Sequence, residues 1–226
     1  MNFFMQKPQL VLFDLDGTLV DSVPDLAYSV DCAMQMLDMP MHGEDKVRTW
    51  VGRGADRLMK AALTGGMDGE PDPDLFQKAF DLFSDIYLQN TNQRSHLYMG
   101  VYEGLGQLQA MGIPLACVTN KRGIYTDQVL RGLGLDTYFS MVVSGDTLTR
   151  KKPDPDQLLY AAQAFNLAPE QCLMVGDSIS DLNAARAANM PVVCVSYGYN
   201  HGESIANYGP DRVINSLMEL TGLFPV

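Results

Sequence analysis

The sequence predicts an α/β protein in which helices cover a parallel β-sheet and one long helical segment is inserted. Short apolar runs rich in β-branched residues alternate with helical patterns, as they do in successive βαβ units. These runs are apolar at consecutive positions, which is typical of strands buried on both faces. Between the first and second runs, a long stretch contains helical patterns but no convincing strand. The alternation therefore predicts the sheet, and its interruption predicts the insertion.

Apolar runs predict the strands of the sheet in order along the chain. The first strand is QLVLFD, at residues 9–14. Later strands are predicted at 113–119, 141–145, 171–177 and 191–196, with a short one at 211–214. Helices are predicted between and after them, at 102–111, 122–133, 154–165, 180–189 and 215–220. Because strands that alternate with helices form a parallel sheet, we expect a Rossmann-like core.

Helical patterns fill the insertion. Helices are predicted at 22–37, 44–51, 55–63 and 73–89. The last of these has apolar side chains at helical spacing, and the Gly-, Pro- and Asp-rich stretch at 64–74 predicts a loop. We therefore divide the chain into a discontinuous α/β core, residues 1–20 and 96–226, and a helical cap, residues 21–95.

The chain carries an excess of acidic residues. Its 226 residues include 27 Asp and Glu but only 16 Lys and Arg, which gives a formal charge of −11. This charge argues against nucleic acid or an anionic membrane surface as a partner. A small anionic substrate remains compatible with it, because a metal ion and a few local cations can override the global field.

The sequence also predicts a cytoplasmic protein. No apolar run approaches the length of a membrane span, and the N-terminus lacks the pattern of a signal peptide. The four cysteines are far apart and form no CxxC pair: Cys32, Cys117, Cys172 and Cys194. We expect small buried apolar residues in a reducing compartment rather than a disulfide framework or a zinc site.

Chemically active side chains follow four of the predicted strands. The carboxyl ends of parallel strands meet at one edge of the sheet, where ligands bind. The side chains expected at this edge are carboxylates, a hydroxyl, an amide and an ammonium group: Asp14, Asp16, Thr119, Asn120, Lys152, Asp177 and Asp181. Lys151 is the neighbouring competitor for the role of Lys152.

This set of residues predicts phosphate chemistry with Mg²⁺. Carboxylates gathered at one edge repel one another, and a hard divalent cation is the natural counter-charge. The absence of Cys and His from these strand ends disfavours zinc. The lysine, the hydroxyl and free N–H groups can hold phosphate oxygens. One of two aspartates spaced i, i+2 can attack phosphorus, and the other can supply a proton to the leaving group.

Four motifs resemble those of the haloacid dehalogenase-like (HAD) superfamily, in the order expected. DLDGTLVDS matches the DxDGT signature, while Thr119, Lys152 within KPDP, and GDSISD at 176–181 resemble the second, third and fourth motifs. The helical insertion resembles the type-one cap of this superfamily. Because the resemblance covers essentially the whole chain, it implies a Mg²⁺-dependent phosphomonoester hydrolase.

The resemblance implies a role for each matching residue around the substrate. Asp14 is expected to be the nucleophile and a Mg²⁺ ligand. Asp16 is expected to be the general acid and base, and to bind the metal through its backbone carbonyl. Thr119 and Asn120 are expected to hold the phosphate, and Lys152 is expected to be the lysine of the third motif.

Two further acidic residues belong to the fourth motif. Asp177 resembles the third protein ligand of the metal. Asp181 is expected either to support the metal site or only to cap the helix at 180–189, and the sequence favours neither role.

Other stretches resemble the phosphoglycolate phosphatases of bacteria, a group within this superfamily. They are TLVDSVPDLA, WVGRGAD and SYGYNHGE. The resemblance implies hydrolysis of 2-phosphoglycolate, a small phosphate ester with a free carboxylate. Arg53 lies between two glycines in the cap, so it is a candidate for binding that carboxylate, against the alternative of a solvated surface residue.

Several alternatives stay open at this point. The substrate can be another small phosphate ester or pyrophosphate, or the enzyme can be a sugar phosphomutase that uses the same aspartate pair. A catalytically silent phosphate-binding module on the same fold is a third hypothesis, since fold does not guarantee activity. We expect a small phosphorylated metabolite as the partner, no nucleic acid or membrane, and a monomer or homodimer.

Overall fold

The core of the molecule is a six-stranded parallel β-sheet. The computed structural model describes residue 4 and residues 6–225, so the predicted core limits at residues 1 and 226 lie outside the described residues. The strands are β1 (Leu10–Phe13), β4 (Leu115–Val118), β5 (Met141–Val143), β6 (Cys172–Gly176), β7 (Val192–Val195) and β8 (Arg212–Ile214). Their order is β5-β4-β1-β6-β7-β8, with all pairs parallel. The predicted α/β fold class is confirmed.

Strand β1 occupies the middle of this sheet. Val11 pairs with Leu115 of β4 on one side and with Leu173 of β6 on the other. All four residues of β1 are buried, because helices cover both faces of the sheet. The residues that follow β1 therefore emerge at the centre of the sheet edge.

Helices cover the sheet on both sides. The helices of the core are α5 (Val101–Ala110), α6 (Gly123–Gly132), α7 (Asp156–Ala164) and α8 (Ile179–Ala187). Val11 and Phe13 belong to one apolar cluster, and Leu10 and Leu12 belong to another, because successive strand residues point to opposite faces. Instead of the α-helix predicted at 215–220, a 3-10 helix spans Leu217–Leu223.

The inserted segment contains four helices. They are α1 (Val23–Met36), α2 (Glu44–Arg48), α3 (Ala55–Thr64) and α4 (Pro73–Asn90). Asp72 begins α4 by accepting hydrogen bonds from the N–H groups of Asp74 and Leu75, which otherwise have no partner within the helix. The helices pack around one apolar cluster that also takes in Tyr125 and Tyr199 from outside the segment.

Two short strands join the insertion to the rest of the chain. β2 (Val20–Asp21) and β3 (His96–Leu97) pair antiparallel, with Val20 opposite Leu97 and Asp21 opposite His96. The sequence analysis was wrong to expect no strand in this stretch. The division into a core and a cap at residues 20 and 96 stays a prediction, and we use "cap" below for helices α1 to α4 and the loops between them.

None of the helices among the described residues is long and apolar enough to cross a membrane. All four cysteines are free thiols, and three of them are buried: Cys117, Cys172 and Cys194. Cys32 in α1 is partly exposed.

Candidate active site

Asp14 lies at the centre of the edge formed by the carboxyl ends of the strands. Its backbone N–H donates to the carbonyl of Val175 at 3.0 Å, which continues the pairing of β1 with β6. Its carboxylate accepts a hydrogen bond from the N–H of Leu15 at 2.7 Å. The residue is buried, so its position is fixed by the backbone of the two central strands.

The Lys152 ammonium lies between two of the carboxylates. Its Nζ is 2.9 Å from Oδ1 of Asp14 and 2.7 Å from Oδ1 of Asp181. It also donates to the carbonyl of Val118, at the end of β4, at 2.7 Å. The lysine is 2% exposed, so it acts in a site from which bulk water is largely excluded, where its charge has a strong effect.

Asp177 follows β6 and is held on both oxygens. Oδ1 accepts from the hydroxyl of Thr18 at 2.7 Å, and Oδ2 accepts from the N–H of Tyr199 at 2.6 Å. Gly17 and Gly198 border the carboxylate on two sides. A Cβ atom at either position would overlap Asp177, so only glycine fits there. The loops after β1 and β7 therefore approach Asp177 as closely as backbone allows.

Asp181 caps the N-terminus of α8 and binds Lys152, and its support of the metal site stays a prediction. It is the third residue of α8, and its Oδ2 accepts from the N–H and the hydroxyl of Ser178 at 3.1 and 2.7 Å. The same oxygen accepts from the N–H of Asp177 at 3.2 Å. With Oδ1 bound to Lys152, Asp181 caps the helix and positions the lysine.

The chemistry of these carboxylates fits a hard divalent cation. Oxygens of Asp14, Asp177 and Asp181 come within 4.8 Å of one another. Burial raises the pKa of Asp14 to about 7 against the opposing effect of Lys152, and burial together with Asp181 and Asp14 raises the pKa of Asp177. Both shifts mean that negative charge here is incompletely balanced. The three carboxylates together suit a hard divalent cation, and the ligand set of Asp14, Asp177 and the backbone carbonyl of Asp16 stays a prediction.

The Asp16 carboxylate does not belong to that acidic cluster, and it forms an ion pair with the ammonium group of Lys121. Its two carboxylate oxygens are 2.9 and 3.0 Å from Nζ of Lys121. The sequence analysis missed Lys121. The available signal was its place directly after Asn120 at the end of β4, but nothing local shows that its side chain reaches Asp16.

The two residues after β4 differ in their contacts. The Thr119 hydroxyl accepts from the N–H of Lys121 at 3.2 Å. The Asn120 amide nitrogen donates to the carbonyls of Gly52 at 3.1 Å and Lys152 at 2.9 Å. Asn120 thereby connects a loop of the cap to the loop that carries the lysine. Their predicted contacts with phosphate stay a prediction.

A cavity lies between the core edge and the cap, and Lys152, Asp177 and Asp181 are not among the residues that line it. Asp14, Asp16, Thr119, Asn120 and Lys121 line it from the core. The cap contributes mainly apolar side chains and glycines: Leu26, Val51, Gly52, Gly54, Ala55 and Leu58. The arrangement suits a small ligand whose polar end meets the strand edge.

Arg53 lies outside this cavity. It is exposed and borders an open groove on the outer surface, together with Lys151 and Arg150. The sequence-based hypothesis that Arg53 binds the substrate gains no support from this placement, and it stays a prediction.

Comparisons with known proteins agree with this fold. The family described as "Haloacid dehalogenase-like hydrolase" matches residues 11–195. A phosphoglycolate phosphatase of Nitrosococcus oceani is 54% identical over 97% of both chains. One of Escherichia coli K12 is 42% identical and covers 93% of this chain and 90% of its own length. The crystal structure of a "predicted phosphoglycolate phosphatase" from Haemophilus somnus has a TM-score of 0.92 and 37% identity, and covers 97% of this chain and 99% of its own.

The fold, the acidic strand edge and these similarities define an enzyme of the phosphoric monoester hydrolase class. The chain belongs to the haloacid dehalogenase-like hydrolase family.

Proposed function

We propose that the enzyme hydrolyses 2-phosphoglycolate to glycolate and phosphate, with Mg²⁺ as cofactor and Asp14 as nucleophile. The observation that carries the mechanism is the position of Asp14. It is buried at the end of the central strand, 2.9 Å from the Lys152 ammonium, and it lines the cavity beside Asp16. The substrate follows from the names of the relatives at 54% and 42% identity.

In the first step, an Asp14 oxygen attacks phosphorus and the ester P–O bond breaks. Asp16 donates a proton to the departing glycolate oxygen, so that the leaving group is an alcohol rather than an alkoxide. Lys152 offsets the charge on Asp14 and on the transferred phosphoryl oxygens. Mg²⁺ held by Asp14 and Asp177 would supply further positive charge to the phosphoryl group.

In the second step, water attacks the phosphorus of the aspartyl-phosphate. Asp16, now ionised, accepts the proton of this water, and the bond between Asp14 and phosphorus breaks to release phosphate. Lys121 holds the Asp16 carboxylate by two contacts at 2.9 and 3.0 Å. It thereby fixes the position from which Asp16 donates and accepts the proton.

The cap restricts the reaction to small substrates. Its apolar side chains cover the cavity above the strand edge. This cover excludes bulk water, which would otherwise solvate the charged groups and weaken their interactions with the substrate. We place the enzyme in the cytoplasm, as a monomer or homodimer whose partner is a small phosphorylated metabolite.

The test is phosphate release from a panel of esters with Mg²⁺ or with EDTA. The panel contains 2-phosphoglycolate, glycerol phosphates, hexose phosphates, nucleoside monophosphates and pyrophosphate. We expect 2-phosphoglycolate to have the highest kcat/KM by about tenfold or more, which is about 1.4 kcal/mol of transition-state preference. EDTA should abolish release.

Two variants connect the rate to the mechanism. Asp14→Asn should lower kcat by about a thousandfold or more, since it removes the nucleophile. The exposed residue Asp127 on α6 provides the control, and Asp127→Asn should keep the full rate. Another ester in first place would overturn the substrate, whereas an active Asp14→Asn variant would overturn the mechanism.

A further inference from the structure

Tyr87 combines complete burial with a polar group. It lies on α4 of the cap, and its side chain is among the large ones that are fully buried. Its ring stacks on Phe83 at 5.5 Å between ring centres and meets Tyr125 edge to face at 5.0 Å. Its hydroxyl oxygen lies beside the Lys121 ammonium, and the hydroxyl proton has no acceptor among the described residues.

A buried hydroxyl whose proton has no acceptor is unfavourable, and a phenylalanine would fill the same space without this penalty. The spacing of apolar residues along α4 explains why the ring is inside, but it does not explain the hydroxyl. Tyr87 also lines the cavity that contains Asp14 and Asp16. A ligand bound in this cavity is therefore the natural partner for the hydroxyl.

The rest of the cap offers this cavity very little polarity. Among the described residues that line it from the cap, Tyr87 is the one whose side chain has a polar group, since the others are aliphatic residues and glycines. From the core, Arg122 also lines the cavity, but its guanidinium is held by Asp56 at 2.8 Å and lies over the ring of Phe80. Arg53 lines a different groove.

The surroundings of Tyr87 make its hydroxyl a hydrogen-bond donor. Burial raises the pKa of Tyr87 to about 12, so the group keeps its proton at neutral pH. The Lys121 ammonium lies 5.0 Å from the ring centre, and it is already paired with the Asp16 carboxylate at 2.9 and 3.0 Å. The expected ligand atom is thus an oxygen that accepts a hydrogen bond.

We propose that the Tyr87 hydroxyl donates a hydrogen bond to the carboxylate of the substrate and thereby determines specificity for phosphate esters with a carboxylate at the other end. This inference rests on the proposed function. It assigns to the cap a specific polar contact in addition to the exclusion of water. Tyr87 touches the substrate but takes no part in the transfer of the phosphoryl group.

The test compares two substrates that differ in the carboxylate. Tyr87→Phe and the unchanged enzyme are assayed with 2-phosphoglycolate and with ethyl phosphate, which has the same chain length but no carboxylate. We expect the variant to lose about tenfold or more in kcat/KM for 2-phosphoglycolate, mainly through KM, because a hydrogen bond to a charged group is lost. For ethyl phosphate, kcat/KM should stay within about twofold.

Tyr98→Phe is the matched control. The Tyr98 hydroxyl is also buried and lies beside that of Tyr199, but Tyr98 does not line the cavity. For both substrates, kcat/KM of this variant should equal that of the unchanged enzyme. A purely structural role for Tyr87 would change both substrates alike or neither, and either result overturns the inference.

The experiment separates this inference from the proposed function. If the unchanged enzyme fails to hydrolyse 2-phosphoglycolate, the proposed function is wrong, and with it the carboxylate contact. If the unchanged enzyme hydrolyses it and Tyr87→Phe retains the full preference for it over ethyl phosphate, only the role of Tyr87 is wrong.

Discussion

Two adjacent lysines, Lys151 and Lys152, show how strongly the surroundings of a side chain determine its importance. Lys152 is buried and lies within 2.9 Å of two carboxylates. Lys151 is partly exposed and borders the outer groove. The sequence names both as candidates because each follows the same strand, and the tertiary contacts distinguish them.

Replacing each lysine by methionine should separate the two roles. Lys152→Met leaves Asp14 and Asp181 buried without their cation, so we expect the free energy of unfolding to fall by about 3–5 kcal/mol. Lys151→Met should change it by less than about 0.5 kcal/mol, as is usual for surface substitutions. Urea denaturation of both variants without divalent ions measures the difference. Equal losses would show that Lys152 is not the cation that balances these carboxylates.

The acidic residues of the site were predictable from the sequence, whereas some of their partners were not. Asp14 and Asp177 directly follow buried strands, and parallel strands bring such residues to one edge. The ion pair between Lys121 and Asp16 depends on the conformation of a long flexible side chain that reaches from the end of β4 to the turn after β1. No local sequence pattern encodes this conformation. Tyr87 fits the apolar repeat of α4, so periodicity shows its burial but not that its hydroxyl lies beside Lys121 without an acceptor for its proton.

At the scale of elements, the turn after β1 and the loop after β7 are shaped around Asp177. Gly17 has φ of +89°, a conformation that residues with a Cβ rarely adopt. A Cβ atom at this position would also meet the Asp177 carboxylate. The glycine of the first motif thus permits the close approach of the β1 turn to a residue that follows β6.

Gly17→Ala should combine strain in the turn with displacement of Asp177. Gly43→Ala is the control, because Gly43 has φ of +75° and nothing within 4 Å of an added Cβ. We expect Gly43→Ala to cost about 1–2 kcal/mol for the left-handed conformation and Gly17→Ala about 1–3 kcal/mol more for the overlap. Calorimetric titration should also show weaker Mg²⁺ binding for Gly17→Ala. Equal stability and equal affinity in the two variants would contradict the proposed constraint.

Elements differ in how well the sequence predicts them. Five of the six strands of the sheet are apolar runs, and β8 contains Arg212; the sequence analysis located all six. Strands β2 and β3 have only two residues each, too few for a period of two to be visible. The last helix was predicted as α-helical but forms a 3-10 helix, because local apolar spacing does not distinguish the two over one or two turns.

At the scale of the whole molecule, the apolar interior of the cap extends into the rest of the protein. Tyr125 of α6 and Tyr199 of the loop after β7 belong to the same cluster as Trp50 and Phe83 of the inserted segment. The Tyr199 hydroxyl also donates to Asp21, which accepts from Arg48 of α2. The cap therefore shares both packing and polar contacts with the core.

This sharing predicts that the two parts unfold together. Trp50 is the single tryptophan and is buried in the cap, so its fluorescence reports on the cap, whereas far-ultraviolet circular dichroism reports on the whole chain. In urea, we expect both signals to change with the same midpoint, as coincident transitions indicate a single cooperative unit. A fluorescence midpoint clearly below the dichroism midpoint would show that the cap unfolds independently.

The antiparallel pair β2 and β3 also bears on how such a chain is assembled. Asp21 and His96 lie opposite each other, so the inserted segment begins and ends at neighbouring positions in the structure. A turn of two residues can join antiparallel neighbours of this kind. All six strands of the large sheet would then keep their order, since none of them lies between Asp21 and His96. The geometry is that of an insertion whose removal would leave the connectivity of the large sheet unchanged.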